Sequence, residues 1–126
     1  MKKLDNFKKS LEILSSADKL EADDSEIYRS GVIATFYLTF ELAWKAIKEK
    51  LELMGVDTFT KGSPRAILKE GFAFNLIDDE NLWLDMLEKR NRIVHIYDEY
   101  EANELTSLIF DKYTKELKKL EEKLKD

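Results

Sequence analysis

Cysteine is absent from this 126-residue chain, histidine and proline each occur once, and glycine occurs four times. Without cysteine there can be no disulfide, thiolate metal site or thiol nucleophile. One imidazole, His95, cannot supply a metal site that takes two or three histidines from a single chain. Average usage for this length would give roughly 15 glycines and prolines together. Their scarcity disfavours a turn-rich all-β fold and leaves no material for a glycine-rich phosphate loop. Long apolar runs are missing as well. The longest uncharged stretch, Ser30 to Phe40, falls far short of the ~20 residues that span a bilayer. The start, Met1-Lys2-Lys3-Leu4-Asp5, leads into no apolar segment of the signal-peptide kind. A cytoplasmic protein with no membrane span is therefore expected. The formal net charge of −5 disfavours diffuse binding to DNA or anionic lipid and leaves room only for a local basic patch.

What is present reads as helix. Hydrophobic residues make up 44% and charged residues 37%, a balance that suits one soluble, helix-rich domain over residues 1–126. Leu4, Phe7, Leu11 and Leu14 recur at helical spacing in a first helix that ends near Ala17. The acidic stretch from Asp18 to Glu26 reads as a solvated connection, with Asp23 and Glu26 as an acidic capping box. A long second helix, about Ser25 to Met54, carries a main apolar stripe of Ile33, Phe36, Phe40, Trp44, Ile47, Leu51 and Met54. A second stripe holds Tyr28, Val32, Thr35, Thr39 and Leu42. Apolar on two faces, it is expected to be the central element, with a second subunit as one possible cover. Gly55 is placed to end it.

Ser63-Pro64 opens a short third helix that Gly71 is placed to stop. Asp78 and Asp79 open a fourth, running to about Tyr97 with Leu82, Trp83, Met86, Leu87, Ile93 and Val94. Leu105, Ile109, Tyr113, Leu117, Leu120 and Leu124 mark the last. The expected architecture is all-α: an antiparallel up-and-down bundle of four to five helices.

One segment concentrates chemistry: Lys89-Arg90-Asn91-Arg92-Ile93-Val94-His95-Ile96-Tyr97-Asp98-Glu99. On a continuous helix Arg90 and Tyr97 would share a face, Asn91 would sit one turn from His95, and the four would line one groove. Histidine exchanges a proton near neutral pH. Arginine grips phosphate and offsets the charge that builds on it. Asparagine orients, and tyrosine stacks or donates a hydrogen bond. Such a set suits metal-free cleavage of RNA, with the 2′-hydroxyl as nucleophile. That reaction takes a general base and a general acid, whereas the chain has one imidazole; a two-fold dimer would supply both. Lys89 and Arg92 are further candidates for substrate binding, as is Arg65, which lies one turn from Lys69 in an acid-free run beginning at Lys61. By residue type alone, a lone histidine near a helix end is usually structural, and the cations can be ordinary surface residues facing the acids that follow. Nothing in the sequence calls for a metal or another cofactor.

Four motifs occur in order: Phe36-Tyr37-Leu38-Thr39-Phe40-Glu41-Leu42-Ala43-Trp44-Lys45, Gly62-Ser63-Pro64-Arg65, Trp83 with Met86, and Arg90-Asn91-Arg92-Ile93-Val94-His95-Ile96-Tyr97-Asp98-Glu99. Together they resemble the nucleotidyltransferase substrate-binding protein family, a branch of the HEPN superfamily. The resemblance implies a homodimeric helical bundle and a separately encoded small nucleotidyltransferase as partner, the two forming a toxin–antitoxin-like pair. It implies that Arg90 binds phosphate, that His95 is the acid/base, and that Tyr97 accepts adenylate from the partner and so silences the RNase. It also leaves a second role, a non-catalytic subunit that binds a nucleotide substrate for the nucleotidyltransferase; RNA or a nucleotide is the expected ligand. A structural bundle with a vestigial motif stands third.

Overall fold

The computed structural model describes residues 1–56, 63–96 and 98–125. It is all-α. The helices are α1 (Lys2–Ser15), α2 (Lys19–Asp24), α3 (Glu26–Leu53), α4 (Pro64–Ala73), α5 (Glu80–Arg92), α6 (Glu99–Leu108) and α7 (Thr114–Leu124). A 3₁₀ turn, Ile93–His95, extends α5, and a π-helical segment, Ile109–Tyr113, joins α6 to α7 in one rod.

The two-faced helix α3 is the axis of the bundle, touching α1, α2, α4, α5, α6 and α7. Its main stripe is buried from Ile33 to Leu51 and joins Phe7, Trp83, Met86, Ile109 and Tyr113 in one core. Met54, expected on that stripe, is instead half exposed beyond the end of the helix. Phe36 stacks on Tyr113 with ring centroids 5.4 Å apart, and Phe40 tilts against Trp83 at 6.1 Å. Both tryptophans are core residues. The second stripe is covered in part from within the chain: α1 packs against α3, Val32 and Thr39 are buried, and Tyr28, Thr35 and Leu42 stay half-buried. There the buried Thr39 hydroxyl donates to the Thr35 carbonyl at 2.7 Å. Its one hydrogen is thereby used, so Ser10 Oγ is the donor in the 2.6 Å bond to Thr39.

Local chemistry accounts for most helix ends and corrects four boundaries. The acidic stretch after α1 is not an open connection: Asp18 caps Leu20 N at 2.9 Å and starts α2. Ser25, rather than Asp23, caps α3 by accepting from Tyr28 N. Gly55 does end α3. With φ +82° it allows Val56 N to bond Leu51 O and its own N–H to bond Glu52 O, which is the Schellman arrangement. Gly71 does not stop α4. It lies buried inside the helix, and a Cβ there would come within 3.1 Å of Ile47 Cγ2. The stop is Asn75, with φ 64°; its N–H bonds Phe72 O and Leu76 N bonds Gly71 O, the same arrangement. Finally, α5 ends at Arg92 rather than near Tyr97.

The last rod shows why a run of fours appears in its apolar pattern. In a uniform α-helix, the twelve residues from Leu105 to Leu117 would overshoot three turns by about a third of a turn. The π segment absorbs one residue and brings Leu117 back to the core face. Thr114 Oγ1 donates to the Ile109 carbonyl, five residues back across that wider turn.

Glycines of opposite context test this packing. Gly71→Val should lower unfolding free energy by about 1–3 kcal/mol, because the added atoms meet Ile47. Gly31→Ala, where a Cβ meets nothing within 4 Å, should raise it by up to about 1 kcal/mol. Urea denaturation followed by far-ultraviolet circular dichroism measures both.

Candidate functional site

The chemistry-bearing segment straddles a change of geometry. Lys89, Arg90 and Arg92 occupy the last turn of α5, where cations complement the helix dipole. The chain then tightens into the 3₁₀ turn, and Ile96 is already extended. Asp98 restarts helix α6 by accepting from Glu101 N at 2.7 Å. The α-helical register expected to carry Asn91 to His95, and Arg90 to Tyr97, is therefore broken after Arg92. His95 stands on the 3₁₀ turn, exposed, beside an exposed Val94. Tyr97, Lys61 and Gly62 lie outside the described residues.

The end of α5 and the start of α6 are each tied by an arginine. Arg92 gives Nε and Nη2 to Glu101 Oε1 at 2.8 and 2.5 Å. Arg29, buried on α3, donates to the carbonyls of Ala22 and Asp23 at 2.7 and 3.0 Å and to Glu99 Oε1 at 3.2 Å. One guanidinium thereby ties the end of α2 and the start of α6 to the central helix.

The candidate residues do not face a single groove. Arg90 turns toward α3, where its guanidinium pairs with Glu41 and lies 5.3 Å from the centroid of the Tyr37 ring. Its Nη1 also donates to Asn91 Oδ1 at 2.7 Å. The pair is largely shielded, with side-chain exposures of 21% for Arg90 and 15% for Glu41, so water screens it weakly. Asn91 and Arg65 line a polar groove of about 410 Å³ between α4 and α5, shared with Asn81, Asp85 and Glu88. Lys89 and Arg92 line a cleft of about 200 Å³ on the α6 side. Each of the three cations of the segment has a carboxylate partner: Asp85 for Lys89 at 3.2 Å, Glu41 for Arg90 and Glu101 for Arg92.

A family model described as nucleotidyltransferase substrate binding protein like matches residues 2–126. The chain belongs to this family. It is also similar to the probable ribonuclease HepT of Haemophilus influenzae, with 31% identity over 84 residues. That match covers 65% of this chain and 58% of the relative, so the likeness spans a little more than half of HepT. Two solved structures share the fold, each at a TM-score of 0.84. A protein from Thermus thermophilus is 28% identical and is covered to 99%, against 95% of this chain. A Haemophilus influenzae protein, reported as the fold of a substrate binding domain of a nucleotidyltransferase, is 24% identical, with 98% of this chain and 99% of that chain covered. The nucleotidyltransferase substrate-binding fold is thus an all-α bundle in this chain, and none of its described helices is long and apolar enough to cross a membrane.

Two further groups lie behind the site in this family member, and reasoning from the segment alone missed them. Glu41 is the first charge after the uncharged run of α3, four residues from Tyr37 and three from Trp44; that spacing was the available signal. The second is Asp85, one turn before Lys89. It accepts from Tyr113 Oη at 2.5 Å and from Lys89 at 3.2 Å. Burial works to raise the Asp85 carboxyl, but the hydrogen bonds from Tyr113 and Lys89 outweigh it and hold the group below its ordinary value of 3.8. Burial first, and then the Asp85 hydrogen bond, push the Tyr113 hydroxyl far above its ordinary 10.0. Nothing in the sequence joins residues 28 positions apart before the π segment places Tyr113.

Because the folded carboxyl is depressed, its stabilising effect is complete above the unfolded value and is lost as pH falls through the lower folded value. Tyr113→Phe should cost about 1 kcal/mol at pH 7. The gap between the two proteins should close as pH drops below 3.8, measured as urea midpoints across a pH series.

Proposed function

We propose that this chain is the HEPN-type subunit of a two-component nucleotidyltransferase system, that it dimerises, and that the dimer cleaves RNA without metal. The observation that carries this reading is Arg90 followed, four intervening residues later, by His95 where α5 gives way to the 3₁₀ turn, with His95 exposed to an incoming strand. Family membership and the similarity to a protein named a probable ribonuclease support it.

In the proposed reaction His95 of one copy takes the proton from the 2′-hydroxyl. The 2′-oxygen bonds to phosphorus, and the bond to the 5′-oxygen breaks. His95 of the second copy protonates that leaving oxygen, giving a 2′,3′-cyclic phosphate and a 5′-hydroxyl. Arg90 offsets the charge that gathers on the phosphoryl oxygens, and Asn91, hydrogen-bonded to it, steadies the guanidinium. Lys89, Arg92 and Arg65 contact flanking phosphates. Silencing belongs to the partner. The Tyr97 phenol gives its proton to solvent as its oxygen bonds to the α-phosphate of ATP and pyrophosphate leaves, and the adenylate adds a negative group and a base two residues along the chain from His95. The pair then behaves as toxin and antitoxin.

One observation favours a second reading. The matching family is described as substrate binding rather than as a ribonuclease, which suits a subunit that only binds a nucleotide for its partner.

Purified chain without its partner separates the two. Wild type should degrade RNA in the presence of a chelator, and His95→Ala should slow this by about 10²–10⁴-fold. Undiminished cleavage by His95→Ala overturns the catalytic reading, and no cleavage by wild type gives the binding reading its place. With the nucleotidyltransferase and ATP, wild type should gain one adenylate in the mass spectrum and Tyr97→Phe none; a modified Tyr97→Phe overturns the acceptor assignment.

A further inference from the structure

We infer that Glu41 is the positioning residue of Arg90, and that the face of α3 bearing Tyr37, Glu41 and Trp44 is a cradle that fixes the guanidinium plane. The part of this inference that concerns RNA rests on the reading above; the cradle itself does not.

Tyr37, Glu41 and Trp44 are spaced four and three residues apart and so project from one side of α3. Glu41 uses its two oxygens on different elements: one meets Arg90 Nη2 from α5, and the other accepts from Trp44 Nε1 at 3.0 Å. Trp44 is itself a core residue, so this carboxylate is held from behind. The Tyr37 ring supports the guanidinium by a cation–π contact, and Asn91 Oδ1 takes Nη1. Arg90 Nε and Glu41 Oε1 are both buried with no hydrogen-bond partner among the described residues, so Glu41 holds Arg90 as an ion pair. Only the remaining hydrogens on the two terminal nitrogens are left to reach outward. The guanidinium has thus already given up its rotational freedom in the folded chain, as preorganised catalysis requires.

The cradle also decides what kind of work Arg90 does. Glu41 cancels its charge, so the pair attracts a resting phosphodiester weakly. Its directed N–H groups count most when extra negative charge develops on the phosphoryl oxygens. An interaction that strengthens on the way to the transition state appears in kcat rather than in KM. Loss of the Glu41 charge should therefore free Arg90 to bind phosphate at least as well while spoiling its alignment. A merely structural Glu41 would not divide the two constants in that way.

The test uses the full chain labelled with ¹⁵N and a fluorescent single-stranded RNA. The Arg90 side-chain N–H signal is assigned by its loss in Arg90→Lys. Its hydrogen exchange should quicken about tenfold or more in Glu41→Gln and return toward wild type in Glu41→Asp, which keeps the charge. In cleavage, Glu41→Gln should lower kcat about tenfold or more with KM unchanged or lower. His95→Ala should lose kcat while leaving the Arg90 signal in place. Wild-type exchange at Arg90 in Glu41→Gln overturns the cradle, and a raised KM with unchanged kcat overturns its catalytic use. If wild type cuts no RNA, the RNase reading fails alone, because the exchange comparison still decides the positioning. Should Glu41→Gln not fold by circular dichroism, Tyr37→Leu replaces it: severalfold faster exchange supports the cradle, and an unchanged rate overturns it.

Discussion

Everything in this bundle follows from the need to cover a 28-residue helix that is apolar on two faces. A helix of that kind cannot rest on a surface, because each face left open would keep large side chains in water. The chain answers with α1 along one stripe and with α5 and the α6–α7 rod along the other. Phe36, Phe40, Trp83 and Tyr113 are the contacts through which that second cover is made. The candidate segment hangs from the end of one of the covering helices. Its geometry is therefore inherited from how tightly α5 sits on α3.

Polar interactions then do what apolar packing leaves undone, which is to fix direction. Arg29 ties α2 and α6 to α3, Arg92 ties the end of α5 to the start of α6, and Glu41 holds Arg90. Apolar contacts tolerate sliding, whereas a bonded guanidinium sets distance and angle together. The passage from Ile93 to the Asp98 cap is flanked on both sides by such ties. An exposed His95 can thus stand at a defined place without being buried.

Much of this was legible in the residues themselves. Heptad-like spacing located the central helix and both tryptophans, and Ser63-Pro64 and Asp79 marked true helix starts. The motif order pointed to the family. Other features were hidden for physical reasons. Gly71 looked like a terminator because glycine is the usual left-handed residue, yet its lack of a side chain serves the close approach of Ile47, and Asn75 takes the left-handed position. The sequence pattern carries the helix containing Arg90 too far because Ile93 and Val94 continue an apolar pattern that a 3₁₀ turn satisfies equally well. Each cation of the segment was visible, but its acid came from another helix or an earlier turn, and linear spacing reveals only the latter. The Asp85–Lys89 pair was in reach of such reasoning; the Arg90–Glu41 pair, across two helices, was not.

The π segment has a consequence for how the chain can change length. A wide turn of this kind is one residue more than an α-helix would use for the same rotation, so the phase of α7 against the core already includes that surplus. Removing one exposed residue there, such as Lys112, lets the rod close into uniform α-helix while Leu117, Leu120 and Leu124 keep facing inward. A single deletion anywhere in α7 itself would turn the residues beyond it by about 100°. Within the α6–α7 rod, a one-residue deletion is therefore best accommodated in one turn, and that turn also carries the tyrosine that reaches Asp85.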